Sequence, residues 1–328
     1  MDSLIFAINA VAPIIIMVAI GYILKRLGFM NASFAKAANK LVFHLFLPVM
    51  LFMNVYKIED IGNMQFDYIL YVVIALLIIF AVSIPAVMLV AKKRERRGAL
   101  LQAAFRSNYA LIGIPLTSSL FGDSGVAVAT LLSAVVVPML NILAVISLSI
   151  FRNGDEKPSI GKIAVGIVKN PLIQGVAAGL VLLGVRAIFV KTGIEFRLSD
   201  VTPIYKVLGY LSNLATPLAL LVLGAQFEFS AVSSLKREIL FGTLMRTVIV
   251  PILGIGTAYL LFRTRFGGAH FAAFIAVFAT PVSISSVPMA QEMDGDVTLA
   301  GQLVVWTTLM SALSVFLTSF LLRLAGIF

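Results

Sequence analysis

Two stretches of the sequence combine helix-breaking residues with polar side chains inside strongly apolar surroundings. They are residues 106–122 and 278–295. Each contains a proline, Pro115 in the first and Pro288 in the second, and proline lacks the N–H that a continuous helix needs. Inside a bilayer, unwound backbone is tolerated only where it is buried in protein or lines a cavity. Both stretches therefore predict a binding site.

The chemistry predicted for these stretches is anion binding by backbone amides. A proline at the first position of a short half-helix has no bond to lose, so the next amides would be free donors. In this sequence those amides belong to Leu116 and Thr117, and to Met289 and Ala290. A helix N-terminus carries about half a positive charge, so two facing ends favour a carboxylate.

Asn108 is the strongest side-chain candidate, because an amide has up to four hydrogen-bonding positions to satisfy and this one precedes the break by one to two turns. Serine and threonine are weaker candidates, since in membrane helices they also bond to their own backbone carbonyls. The predicted substrate-binding residues are Asn108, Tyr109, Gly113, Ile114, Pro115, Leu116, Thr117, Ser285, Ser286, Val287, Pro288 and Met289.

Charged residues near the predicted spans suggest coupling or charge roles for Glu292, Arg246 and His44. No acidic residue falls inside a predicted span, which weakens a cation-antiporter interpretation. Glu292 could couple protons or be a plain interfacial residue. Arg246 could neutralise an anion or extend to the membrane surface. His44 could titrate, or be a hydrogen-bonded structural histidine.

Composition excludes a soluble domain. Of the 328 residues, 60% are hydrophobic and 12% charged, and the mean hydropathy is +1.05. This is the composition of a polytopic membrane protein. The net charge of +10 resides in short loops, so it does not indicate nucleic-acid binding. With no cysteine and only two distant histidines, the sequence predicts neither a metal site nor a cofactor.

Apolar windows of roughly 20 residues predict ten spans in an all-α fold, five in each half. They lie at about Leu4–Leu24, Ala37–Val55, Ile69–Ala91, Ala99–Phe121, Val126–Ile150, Ile163–Val185, Ile204–Ala225, Ile239–Phe262, Phe271–Ala290 and Val297–Leu322. The first repeat covers residues 1–151 and the second 163–328, with a cytoplasmic linker at 152–169 that overlaps the start of the sixth span.

Orientation follows from the basic residues. If the N-terminus is outside, 16 lysines and arginines, including Arg106, lie inside and 8 outside, so both termini should face outward. An odd number of spans per half makes the repeat inverted. A shift of 173 residues superimposes Pro115 on Pro288 and Gly122 on Gly295. Interrupted helices at corresponding positions of two inverted halves indicate a transporter's substrate site.

Several segments resemble the auxin efflux carrier family, whose plant members are the PIN carriers. They are residues 108–116 with Phe121-Gly122, 13–28, 47–52, 286–288 and 307–311. The resemblance implies a fold like that of bile-acid symporters and sodium/proton antiporters, with helices 4 and 9 crossing at their prolines. It also implies a scaffold of helices 1, 2, 6 and 7, a homodimer formed through that scaffold, and a mobile transport domain.

In the plant carriers the substrate carboxylate lies close to an asparagine that matches Asn108. The pair before it, Arg106-Ser107, departs from the plant motif, and the long regulatory loop is missing. The compact form is similar to bacterial organic-acid permeases. We therefore expect an elevator-type transporter of small organic anions in the plasma (inner) membrane, and not an enzyme. The alternative is a membrane sensor built on a transporter-like fold.

Overall fold

The structure, a computed structural model, describes residues 2–58, 66–152 and 160–328. Within these ranges the regular elements are helices, and no β-strand forms. The main helices, in chain order, are α1 (Asp2–Arg26), α2 (Ala32–Tyr56), α3 (Phe66–Val90), α4 (Arg94–Phe105), α5 (Tyr109–Ile150), α6 (Ile160–Lys169), α7 (Pro171–Lys191), α8 (Thr202–Gln226), α9 (Ala231–Phe262), α10 (Gly268–Phe278), α11 (Ser286–Glu292) and α12 (Val297–Leu324).

Seven helices of the described part, α2, α3, α5, α7, α8, α9 and α12, are long and apolar enough to cross a membrane. Their outer faces are apolar as well. Leu89 on α3 is 80% exposed and Leu260 on α9 is 76% exposed. Exposure of such apolar faces to water is unfavourable, whereas contact with lipid tails is not. An all-helical, multi-pass membrane protein is therefore confirmed.

Polar caps fix where several helices begin. The Asn31 side chain accepts a hydrogen bond from the Phe34 amide at 2.8 Å, and Asp296 does the same for the Leu299 amide at 2.8 Å. At the start of α7, Asn170 accepts from Leu172 at 2.9 Å, and Pro171 follows as the first helical residue. These side chains satisfy amides that have no partner within the helix.

Two short non-helical segments meet in the bundle. We call residues 106–108, between α4 and α5, the first crossing segment, and residues 279–285, between α10 and α11, the second. The Asn108 amide donates to the Pro281 carbonyl at 2.8 Å, and the Ser283 amide donates to the Arg106 carbonyl at 3.1 Å. An antiparallel bridge joins Ser107 to Val282. Main-chain groups released from both helices thus satisfy one another.

The helix interruption predicted at Gly113 and Pro115 lies elsewhere. Gly113 has helical dihedral angles (φ −64°, ψ −52°), and helical backbone runs from Tyr109 through Pro115. A wide π-turn at Tyr109–Gly113 ends two residues before the proline. Such a turn accommodates the missing N–H without ending the helix. The chain leaves the helix earlier, at Arg106, because its main chain pairs with the second crossing segment instead.

Gly113 has a packing role in the fold. A Cβ at this position would lie 2.9 Å from the Ala276 Cβ and 3.1 Å from the Ala276 carbonyl oxygen. Only glycine therefore allows α5 and α10 to approach this closely. Further along α5, Phe121 and Gly122 leave helical geometry, with Gly122 at φ +54°. This kink divides α5 into a short first part (residues 109–120) and a longer second part (residues 123–150).

The predicted linker falls largely outside the described residues. Of residues 152–169 the structure describes Arg152 and helix α6, and residues 153–159 are not described. Helix α6 ends at Lys169, and α7 begins at Pro171. The predicted sixth span therefore corresponds to α7 preceded by a separate helix.

Candidate functional site

A cavity of about 550 Å³ lies where the crossing segments face α2 and α8. One face of α2 forms part of its wall, through Leu47, Met50, Leu51 and Asn54, and the wall continues to Lys57 just beyond the helix end. At 1.5 Å per residue, the cavity follows α2 for roughly 15 Å. Its polar lining comprises Asn54, Lys57, Arg106, Ser107, Asn108, Asn141, Ser212, Asn213, Thr216, Ser283 and Ser285.

Arg106 dominates the electrostatics of this cavity. Its side chain is enclosed, with 2% of the residue exposed. The guanidinium donates four hydrogen bonds, and all four acceptors are neutral: Gln102 Oε1 at 2.7 Å, Met289 Sδ at 2.7 Å, Asn141 Oδ1 at 2.8 Å and Ser285 Oγ at 2.9 Å.

No carboxylate of the described residues compensates this charge. None lies within ion-pairing distance of Arg106, and no aspartate or glutamate lines the cavity. A buried charge without a counter-charge is costly, even when its donors are hydrogen-bonded. The cavity is therefore electrostatically suited to an anion.

The position of Arg106 corrects the sequence-based topology, which assigned this residue to a cytoplasmic loop. Helix α4 runs to Phe105 and carries Arg106 into the bundle. The hydropathy windows placed Arg106 within the fourth predicted span, but the count of basic residues assigned it to the inner side of the membrane, so its burial was not predicted. The stronger signal is Asn141, a polar amide in the apolar second part of α5, because such residues mark substrate pathways.

Asn108 lines the cavity and carries an unused donor. The residue is 7% exposed, and its side-chain nitrogen has no hydrogen-bond partner. Its side chain does not cap α5. Its main-chain carbonyl accepts from the amides of Ile112 at 3.0 Å and Gly113 at 3.3 Å. A buried donor without a partner is costly, and a hydrogen bond to an anionic ligand would satisfy it.

The start of α5 adds backbone donors. The first amides of a helix have no partner within it, and here they belong to Tyr109, Ala110 and Leu111, which all line the cavity. The Tyr109 hydroxyl is already used, since it donates to the Ala129 carbonyl at 2.7 Å.

The prediction of free amides at Leu116, Thr117 and Met289 is wrong. The first two lie within continuous helix, and the Met289 amide donates to the Ser285 carbonyl at 3.2 Å.

Of the predicted substrate-binding residues, the structure brings Asn108, Tyr109 and Ser285 together at the cavity wall. Met289 contacts Arg106 through its sulfur. Thr117 donates to the Ile114 carbonyl at 2.7 Å, as the alternative interpretation predicted. The remaining predicted residues also lie outside the wall of this cavity: Gly113, Ile114, Pro115, Leu116, Thr117, Ser286, Val287, Pro288 and Met289.

Arg246 does not extend to the membrane surface, so that prediction is wrong. The residue is completely buried, and its guanidinium donates to the carbonyls of Thr280 at 2.6 Å and Val277 at 2.7 Å. These oxygens lie at the C-terminal end of α10, where a helix carries partial negative charge. Arg246 therefore stabilises a helix end inside the bundle. Its acceptors are main-chain carbonyls of a distant helix, which the sequence does not identify.

His44 and Glu292 lie outside the cavity, on α2 and α11. The His44 Nδ1 atom hydrogen-bonds the Lys40 carbonyl at 3.0 Å, which agrees with the structural interpretation of this histidine. The same atom is 3.9 Å from Glu292 Oε2. Nearby, Gln226 Nε2 donates to Gln291 Oε1 at 3.0 Å. These two contacts tie the end of α11 to α2 and α8.

A family described as membrane transport protein matches residues 6–319. The chain belongs to this family. Its predicted resemblance to the auxin efflux carriers is thereby confirmed, since this is the family that includes them. The match covers both crossing segments and the cavity between them.

Relatives of this membrane transport protein extend over the same length. An uncharacterized transporter from Methanothermobacter thermautotrophicus is 28% identical over 318 residues, which are 96% of this chain and 98% of the relative. Another uncharacterized transporter, from Methanocaldococcus jannaschii, is 23% identical over 325 residues, with 96% and 98% coverage. Transport is therefore the activity class common to the family and both relatives.

Proposed function

We propose that this protein is a secondary active or facilitative transporter of small organic anions, namely carboxylates such as malate, malonate or auxin-like acids. The observation that carries this proposal is Arg106, a buried guanidinium that lines the cavity and has only neutral partners. A substrate carboxylate would supply the missing counter-charge. Asn108 and the first amides of α5 would donate further hydrogen bonds to it.

The proposed architecture is a ten-span inverted repeat with two interrupted helices. Helix α4 with the first part of α5 would form one interrupted span, and α10 with α11 the other. The shift of 173 residues supports this assignment, because it superimposes the end of α4 at Phe105 on the end of α10 at Phe278. Two half-helices that meet near the midplane of each repeat are typical of transporter substrate sites.

The proposed mechanism is of the elevator type. Helices α1, α2, α6 to α8 would form the scaffold and the homodimer contact, and the remaining helices would carry the substrate. The position of the cavity supports this division, since α2 and α8 form one wall and the crossing segments the other. The scaffold helices also pack closely, because Gly175 on α7 leaves no room for a Cβ against Pro48. Sliding would then occur at the cavity wall.

The proposed orientation in the plasma (inner) membrane places both termini outside. Ion pairs join loops assigned to the same side. Arg96 bonds Asp296 at 3.2 Å and Arg152 bonds Asp294 at 2.7 Å on the inner side, and Asp67 pairs with Arg265 on the outer side. Cysteines introduced at Ser3 and Gly326 should react with an impermeant maleimide in intact cells. Protection of either would contradict this topology.

The test of the proposed function is uptake by the purified protein in liposomes. Radiolabelled malate and malonate should accumulate faster than in protein-free liposomes, and unlabelled acid should compete. A thermal-shift screen of further carboxylates would rank other substrates, because a ligand that binds only the folded protein raises the melting temperature. Stabilisation by a carboxylate without uptake would favour the sensor alternative. No response in either assay would contradict an organic-anion site.

A further inference from the structure

Asn141 holds the cavity arginine in place from a different helix. Its side-chain oxygen accepts from Arg106 Nη2 at 2.8 Å, and its side-chain nitrogen donates to the Val137 carbonyl at 2.9 Å. The second contact fixes which end of the amide faces the guanidinium, because only the nitrogen can donate to a carbonyl. Asn141 is 5% exposed and lines the same cavity.

The neutrality of Asn141 matters as much as its position. Aspartate has nearly the same shape, but its carboxylate would form a charge-assisted pair with Arg106 and neutralise it. A neutral acceptor orients the guanidinium and leaves its positive charge available. An amide at position 141 therefore leaves the cavity selective for anions. A carboxylate at the same position would supply the counter-charge from the protein itself.

We propose that Asn141 determines the charge selectivity of the substrate site by positioning Arg106 without neutralising it. This inference rests on the proposed function, because it concerns the same cavity. Asn141 acts through Arg106, so it is a positioning residue. Gln102 contributes in the same way from one turn earlier on α4, where it accepts from Nη1 at 2.7 Å.

The experiment compares Asn141→Asp and Asn141→Ala with wild type by thermal shift and binding titration, with malate and malonate as probes. We expect Asn141→Asp to keep the melting temperature and to weaken binding of both acids about thirty-fold or more, because an internal carboxylate competes with the ligand for the guanidinium. Asn141→Ala keeps the positive charge and should weaken binding by only about five- to ten-fold, the value of one lost hydrogen bond.

A neutral probe separates charge selectivity from a merely structural effect. Wild type should prefer malonate to its uncharged analogue malonamide, and Asn141→Asp should lose that preference. Gln102→Glu should reproduce this loss from the opposite side of the guanidinium. Asn31→Asp is the matched control, since Asn31 caps α2 outside the cavity, where aspartate is an equally good cap, and it should retain the preference for malonate.

The outcomes distinguish this inference from the proposed function. If wild type binds malate or malonate and Asn141→Asp binds them equally well, the role proposed for Asn141 is overturned and the anion site remains. A greater loss in Asn141→Ala than in Asn141→Asp would likewise show a packing role only. Failure of wild type to bind either acid would count against the proposed function and the inference together.

Discussion

Arg106 and Arg246 are both enclosed in the helix bundle, but they have different kinds of partner. Arg246 donates to main-chain carbonyls at the C-terminal end of α10, where the helix itself supplies partial negative charge. Arg106 donates to neutral side chains and borders a cavity. The first cation has main-chain acceptors at a helix end, although its Nη1 lacks a partner among the described residues, whereas the second has only neutral side-chain acceptors and faces a cavity. This difference separates a structural charge from one available to a ligand.

The two arginines also differ in their positions relative to the proposed internal repeat. Under the shift of 173 residues, Arg106 corresponds to Ala279, so the second crossing segment carries no arginine of its own. Its charge comes instead from α9, through Arg246. The first crossing segment therefore directs a charge into the cavity, whereas the second receives one that stabilises its helix end.

Arg106→Gln should have the largest effect on transport. The counter-charge for the substrate would be lost, and such an interaction is worth about 2–5 kcal/mol, so affinity for malate or malonate should fall about thirty-fold or more. The melting temperature should change little, because relief of an uncompensated buried charge offsets the lost donors to Gln102, Asn141 and Ser285. Binding titration and thermal unfolding in detergent measure both. Retained affinity would exclude Arg106 as the anion partner.

Arg246→Met should show the opposite pattern, with a loss of stability and retained ligand affinity. It leaves the Val277 and Thr280 carbonyls without their donor. A buried unsatisfied group costs about 1–3 kcal/mol, so the melting temperature should fall by on the order of 5 °C. Arg246→Lys is the matched control and should restore part of the loss. Normal stability combined with lost binding would reverse the roles assigned to the two arginines.

Asn108→Ala should have a smaller effect than Arg106→Gln. It removes one donor to a charged ligand, worth roughly 1.5–3 kcal/mol, so affinity should fall about ten-fold or more. The unliganded protein should melt normally, because this nitrogen has no partner within the described residues. Titration of the variant with malonate tests the prediction. An unchanged affinity would remove Asn108 from the site.

The sequence predicts the membrane-spanning helices better than it predicts the site. Long apolar windows identify spans because the bilayer demands them. Under the proposed repeat, the ends of α4 and α10 would correspond to each other. Yet both interruptions are satisfied by pairing between distant residues, such as Asn108 with Pro281, and no local pattern reports such a contact.

Arg106 shows the same limit for the chemistry of the site. Its acceptors Gln102, Asn141 and Ser285 come from three separate helices or segments, and only the folded chain brings them together. The sequence places Arg106 in an apolar stretch, but the count of basic residues groups it with Arg94, Arg96 and Arg97 on the cytoplasmic side. Burial of a charged side chain depends on the tertiary structure. The sequence therefore predicts the region of the site but not that Arg106 is its central cation.

Pro115→Ala should have the smallest effect of the changes considered. Helical backbone already runs from Tyr109 through Pro115, and this proline is exposed, so a restored N–H would neither close an interruption nor withdraw the amides at the cavity. Exposed substitutions of this kind usually change stability by less than about 0.5 kcal/mol, so initial uptake of malate into proteoliposomes should stay within about twofold of wild type.

Gly113→Ala, two residues earlier, is the matched contrast, because its methyl group would collide with Ala276 and separate the two crossing helices. It should lower both the melting temperature and the flux at equal protein density. If Pro115→Ala abolished uptake while the protein remained stable, the proline itself would have to define the start of the half-helix during transport. The donors assigned to Tyr109, Ala110 and Leu111 would then move one to two turns along α5, and the uncompensated charge of Arg106 would no longer face them.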